Sequence, residues 1–153
     1  ILIPGAGNCH EGEYLWKQGF NKVNILDISE LPLLAIKNRV DGFPEGQLIC
    51  TDFFELEGQY DLILEQTFFC AINPTQRAAY AKKMSELLKP NGRLVGVMFN
   101  FPLTEEGPPF GGSIKEYEKY FKPYFDISKM ETCLNSIEPR QGRELFVMLS
   151  KKS

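Results

Sequence analysis

Four short polar or glycine-bearing steps each follow an apolar run in the first half of the chain. They are Gly5-Ala6-Gly7, Asp27, Asp52-Phe53 and Glu65-Gln66. Glycines at such a step permit positive φ and let a ligand approach the backbone closely. Asp27 stands twenty residues after Gly7. A carboxylate there can accept from both hydroxyls of a ribose. An Asp followed by Phe can accept from an adenine amine while the next N–H donates to the ring and the phenyl stacks on it. Glu65 or Gln66 can hold an amino-acid ammonium. Each step also has a plainer reading: a tight turn at the glycines, a helix cap at Asp27, a turn residue at Asp52, a polar strand end at Glu65-Gln66.

These steps need a scaffold that brings strand ends together, and the hydrophobic pattern supplies one. Ile1-Leu2-Ile3, ending at Pro4, reads as a short buried strand, and Asn8 with Glu11 has the spacing of a capping box that opens a helix. Val23–Asp27 is a second strand, followed by a helix capped by Ser29 with Leu33, Ile36 and Val40 on one face. Gln47–Cys50 and Tyr60–Leu64 are the third and fourth strands. Asn73-Pro74 opens a helix with Tyr80, Met84, Leu87 and Leu88 along one stripe, and Lys89-Pro90-Asn91-Gly92 ends it. Leu94–Phe99 is a fifth strand. Ser113 and Glu116 cap a helix carrying Ile114, Tyr117 and Phe121. Phe125–Thr132 and Glu144–Ser150 complete seven strands, the last two without a helix between them. Alternating strands and helices argue an α/β, Rossmann-like, mostly parallel sheet closed by an antiparallel hairpin. The long irregular stretch Asn100–Gly112 reads as a functional or mobile loop. The chain is expected to form one domain over residues 1–153. Because it opens inside a strand that should be central, an upstream lid segment is expected to precede it.

Composition narrows the chemistry. The chain is 43% hydrophobic, with 17 Lys and Arg against 20 Asp and Glu, a net charge of −3. That hydrophobic fraction excludes intrinsic disorder, and the acidic balance disfavours nucleic acid as a partner. No apolar run reaches the roughly 18 residues of a membrane helix. Cys9, Cys50, Cys70 and Cys133 stand singly, which points away from a disulfide framework and toward a reducing cytoplasm. With His10 as the single histidine, Ser-His-Asp, Cys-His and histidine-rich metal chemistry are disfavoured, and no metal is expected. Cys70 reads as a buried small residue rather than a nucleophile, because nothing nearby in sequence would activate it.

Taken together, the four steps describe a site for adenosine plus an amino acid. The third position of the dinucleotide fingerprint holds His10 rather than Gly, so a pyrophosphate is not required. S-adenosylmethionine, leaving as S-adenosylhomocysteine, has this makeup. A nicotinamide-linked oxidoreductase remains an alternative, as does a domain that binds cofactor without turnover. Gly107-Pro108-Pro109-Phe110 is superficially similar to the Asn/Asp-Pro-Pro-Tyr motif of amino-methylating enzymes, but it opens with Gly and follows the fifth strand.

The chain resembles the thiopurine S-methyltransferase family, and most closely its halide/thiol ("harmless to ozone layer") branch. The residues carrying the likeness are Ile3–Gly7, Leu26-Asp27-Ile28-Ser29, Asp52-Phe53, Asp61-Leu62-Ile63 and the run Phe68-Phe69-Cys70-Ala71-Ile72-Asn73-Pro74. Arg77, Tyr80-Ala81, Met84, Leu87–Gly92 and Gly107–Phe110 add to it. The resemblance implies a class I methyltransferase fold with strand order 3-2-1-4-5-7-6. It implies cofactor contacts at Gly5, Asp27, Asp52, Phe53 and Gln66, to which Gly7, Ile28 and Glu65 are added as candidates. Phe110 stands where this branch often carries Tyr. The implied reaction is methyl transfer to a small soft nucleophile, a thiol, thiocyanate, halide or thiopurine-like sulfur, with no acid or base. Phe68, Phe69 and Phe110 are the expected acceptor pocket, although Phe68 and Phe69 read equally as core aromatics. A monomer is expected.

Overall fold

The computed structural model describes all residues, Ile1–Ser153. Its strands form a seven-stranded mixed sheet in the order β3-β2-β1-β4-β5-β7-β6, as the sequence leads one to expect. The chain divides into two compact units, Ile1–Gly58 and Gln59–Ser153. No helix is long and apolar enough to cross a membrane.

In the first unit, β1 (Leu2–Pro4), β2 (Asn24–Asp27) and β3 (Leu48–Cys50) pair in parallel, with α1 (His10–Lys17) and α2 (Glu30–Arg39) as crossovers. Parallel strands covered by helices read as continuous apolar runs, and Leu2, Ile3, Ile25 and Leu26 are buried accordingly. Ser29 caps α2 by accepting from the Leu31 N–H at 3.3 Å. The expected capping box at α1 does not form. The cap is Cys9, in left-handed conformation at φ 45°, with no side-chain hydrogen bond. The turn after β1 is left-handed at Gly5, Gly7 and Cys9 in succession, which carries the chain past Asn8 before the helix begins.

In the second unit, β4 (Tyr60–Gln66) runs parallel to β5 (Leu88–Phe99), and β5 pairs antiparallel with β7 (Glu144–Lys151). Antiparallel pairing of β6 (Phe125–Thr132) with β7 forms the expected terminal hairpin. β5 starts earlier than its apolar pattern suggests, because Leu88 pairs with Tyr60 ahead of the Lys89–Gly92 step. Gly96 permits the close approach of β4: a Cβ there would lie 2.0 Å from the Glu65 carbonyl oxygen. Asn73 opens a short 3-10 turn that leads into α3 (Arg77–Leu87). α4 (Ile114–Phe121) buries Tyr117 and Phe121 but leaves Ile114 exposed. Ser113 accepts from the Glu116 N–H at 3.3 Å, while the Glu116 carboxylate does not return to close a box and pairs instead with Arg77 at 3.0 Å.

Candidate functional site

The first unit gathers its expected residues at the carboxyl ends of β1, β2 and β3, where ligands bind in open α/β sheets. The Gly7 N–H donates to Asp27 Oδ2 at 3.3 Å, and the Ser29 N–H to Asp27 Oδ1 at 2.9 Å. A carboxylate has about four acceptor positions, so each Asp27 oxygen keeps capacity for a further donor. A Cβ built on Gly7 meets nothing within 4 Å, which leaves the space beside this turn open. Ile28, next along, is 73% exposed. Asp52 caps a short 3-10 turn by accepting from the Phe54 N–H at 2.8 Å through Oδ1. Phe53 is buried and meets the Phe54 ring edge-on at 5.3 Å.

Close packing of helix on strand, which the third glycine provides in dinucleotide-binding folds, is supplied here by Gly12. A Cβ at Gly12 would lie 2.7 Å from Ile25 and 2.8 Å from the Cys9 sulfur. The fingerprint's third position is His10, and the register of α1 puts the close-packing glycine two residues later. The Cys9 thiol is buried, and burial pushes it up to about 11.

In the second unit, Glu65 and Gln66 separate. The Glu65 side chain is only 2% exposed. Its Oε1 accepts from the Phe68 and Phe69 N–H groups, each at 2.8 Å, and its Oε2 accepts from the Tyr80 hydroxyl. The residue is buried and three of its about four acceptor positions are filled from inside the protein, so the carboxylate expected to hold an ammonium holds a turn. Burial pushes its pKa up to about 7, against the opposing pull of these three donors. Gln66 instead lines a cleft of about 310 Å³ with Val97, Asn135, Ser136, Arg140 and Glu144 among its walls. Arg140 lies 3.7 Å from the buried Glu144 carboxylate, and the Ser136 hydroxyl is buried without a hydrogen-bond partner. Apolar periodicity does not mark the β6–β7 connection, so the sequence reading missed these residues.

The expected aromatic pocket also divides. Phe69 is 1% exposed and packs on Tyr80, Tyr117 and Phe121 with centroids 4.9, 5.3 and 5.8 Å away. It is a core residue, because the turn after β4 drives it inward. Phe68 is half-buried. Phe110 lines a groove of about 400 Å³ with Asn73, Pro74, Leu103, Thr104 and Glu105. The Phe110 N–H donates to the Cys70 carbonyl at 2.8 Å. The Cys70 thiol is buried and pushed up to about 11, chiefly by that burial, in keeping with an inert small residue. Arg77 is fully buried, its guanidinium 4.7 Å from the Phe69 centroid, and it donates to the Phe110 and Gly111 carbonyls at 3.4 and 2.8 Å.

The model of the thiopurine S-methyltransferase (TPMT) family matches residues 1–151. The chain belongs to this family. "Probable thiol methyltransferase 2" of Arabidopsis thaliana is 33% identical over 99% of this chain and 70% of its own length. "Thiocyanate methyltransferase 1" of Brassica oleracea is 34% identical over 94% of this chain and 66% of its own. The thiopurine S-methyltransferase of Vibrio campbellii is 34% identical over 61% of this chain. The chain thus spans about two thirds of the length of its plant relatives. Among solved structures, the Burkholderia thailandensis 1,6-didemethyltoxoflavin-N1-methyltransferase, with S-adenosylhomocysteine bound, superimposes with TM-score 0.76 at 19% identity. That match covers 99% of this chain and 70% of the other. TehB from Haemophilus influenzae gives TM-score 0.71 at 18% identity over 99% of this chain and 57% of the other. The fold is therefore that of a class I S-adenosylmethionine-dependent methyltransferase, and family membership makes methyl transfer from that cofactor the chemistry in place of hydride transfer.

The first unit's residues fit the adenosine part of that cofactor. Open space lies beside Gly7, and Asp27 retains acceptor capacity after both of its internal bonds. Asp52 has its Oδ2 in addition to the committed Oδ1.

Proposed function

We propose that the chain serves an enzyme that methylates a small, soft, anionic nucleophile, of which thiocyanate, hydrosulfide and thiolates are the class. Gly5, Gly7, Asp27, Ile28, Asp52 and Phe53 hold the nucleoside part of S-adenosylmethionine. Gln66 stands toward the amino-acid part of the cofactor, and Phe68 and Phe110 belong to the acceptor side. The bound cofactor supplies a methyl group on a sulfonium, open to in-line displacement. The protein then contributes alignment and exclusion of water, worth several kcal/mol of barrier.

The state of the ionisable groups at and just beyond the end of β4 carries the reading of the acceptor class. Glu65 is locked by three donors, and burial holds the Cys70 thiol protonated near neutral pH. A nucleophile that arrives as an anion needs neither as a base. The half-buried Phe68 and the groove lined by Phe110 offer aromatic surface that suits a polarisable atom. The plant relatives named for thiol and thiocyanate methylation support the same class. The four cysteines are unpaired, which suits a reducing compartment, and we propose the cytoplasm.

The test is a panel of thiocyanate, iodide, hydrosulfide, small thiols and a thiopurine, with a primary amine and a phenol beside them. Volatile methylated product and S-adenosylhomocysteine are measured together. Turnover of thiocyanate or a thiolate, rising with the fraction of acceptor ionised, is expected. Turnover of amines or hydroxyls alone would overturn the acceptor class.

A further inference from the structure

The turn after β4 is bonded beyond what a strand end requires. Thr67 is left-handed at φ 60°, and the Ala71 N–H donates to the Phe68 carbonyl at 2.9 Å. Inside this turn lies the Glu65 carboxylate. Oε1 receives both the Phe68 and Phe69 N–H groups, and Oε2 receives the Tyr80 hydroxyl from α3. The outer side of the turn presents the Cys70 carbonyl, which accepts from the Phe110 N–H at 2.8 Å. Phe110 is then gripped on its other side, where Arg77 takes its carbonyl and that of Gly111. One continuous chain of bonds therefore runs from a buried carboxylate to the aromatic residue of the long loop. Removing a buried acceptor leaves its donors unsatisfied, and chains of such bonds fail together.

We propose that Glu65 is a positioning residue for the acceptor side of the site, fixing the Thr67–Ala71 turn and, through the Cys70 carbonyl, the place of Phe110. It touches neither cofactor nor acceptor. The proposal rests on the functional reading above for its consequence in turnover, while its structural half stands alone. Gln at this position keeps a carbonyl oxygen for the two N–H groups and turns its amide toward the Tyr80 hydroxyl, which can accept. It is therefore the conservative replacement, and Ala removes all three bonds.

The test uses the whole chain and four proteins: wild type, Glu65→Ala, Glu65→Gln and Tyr80→Phe. Glu65→Ala is expected to raise the thiocyanate KM about tenfold or more, since three buried bonds are lost together. The S-adenosylhomocysteine Kd by calorimetry is expected to stay within about threefold. Glu65→Gln is expected to bring KM back to within about threefold of wild type. Amide exchange reads the same linkage without activity: Phe68, Phe69 and Phe110 lose about tenfold or more protection in Glu65→Ala, while Leu94 and Leu149 keep theirs. If Glu65→Ala does not fold, Tyr80→Phe, which deprives Oε2 of its donor, is expected to move KM and the three amides in the same direction. An unchanged KM in a folded Ala variant overturns the proposal, as does a Phe110 amide that keeps its protection. A Kd for S-adenosylhomocysteine that rises as much as KM overturns it too, by returning Glu65 to the cofactor. If the wild-type protein methylates nothing in the panel, the functional reading fails by itself and the exchange arm still decides the linkage.

Discussion

The turns after β1 and after β4 both follow short apolar strands and both use left-handed residues, yet they are built in opposite ways. The first has glycine at two of its three left-handed positions, and its one anionic partner, Asp27, reaches it from the neighbouring strand through a single bond to Gly7. The second has Thr67 as its left-handed residue and is packed around its own carboxylate. Gly7 faces open space, whereas the β4 strand end leaves no room even for a Cβ at Gly96. A turn that must receive a ligand keeps backbone and carboxylate capacity in hand. A turn that must hold something else in place uses its capacity internally.

The comparison can be broken or sharpened in order of effect. Gly96→Ala should be the most damaging change, because the added methyl would collide with the Glu65 backbone rather than with a movable side chain. A loss of about 3 kcal/mol or more in urea unfolding is expected, and near-wild-type stability would show that the β4 end is not tightly packed. Asp27→Ala strikes the open turn. It should weaken S-adenosylhomocysteine binding by about tenfold or more, since a bond to a charged group contributes about 1.5–3 kcal/mol. Isothermal calorimetry checks it, and an unchanged Kd would remove Asp27 from the cofactor site.

The pH dependence separates the two carboxylates further. Glu65 has its pKa raised from an ordinary 4.5 to about 7. A carboxyl whose folded pKa lies above its unfolded one binds its proton more tightly in the native state. Its stabilisation is therefore complete below about pH 4.5 and is lost as pH rises through about 7. The difference in melting temperature, Glu65→Gln minus wild type, should accordingly grow between those pH values, as scanning fluorimetry across a pH series would show. A flat difference would place the Glu65 pKa near its ordinary value. The smallest effect belongs to Cys70→Ala. The thiol donates only to the Thr67 carbonyl, so about 1 kcal/mol or less of stability is expected to go, with turnover within about twofold in steady-state assays.

Local order of hydrophobic and punctuating residues determined much of this protein. The runs at Tyr60–Leu64 and Phe125–Thr132, the Ser29 and Asn73 caps and the lack of an α-helix between β6 and β7 were all legible, because each reflects interactions within a few residues or a regular burial period. So were the strand-end positions of Gly5, Asp27, Asp52 and Gln66, since strand ends follow from strand limits. The partners of the polar side chains were decided elsewhere. Glu65 meets Tyr80 fifteen residues away, and Glu116 leaves its own helix start for Arg77 at a separation of 39. Phe69 sinks into the core while Phe68 beside it stays half-buried, and Gly12 rather than residue 10 meets β2. A side chain's direction and its long-range partner depend on which elements pack together and at what register. Tertiary packing sets those, and no local pattern in the chain records them.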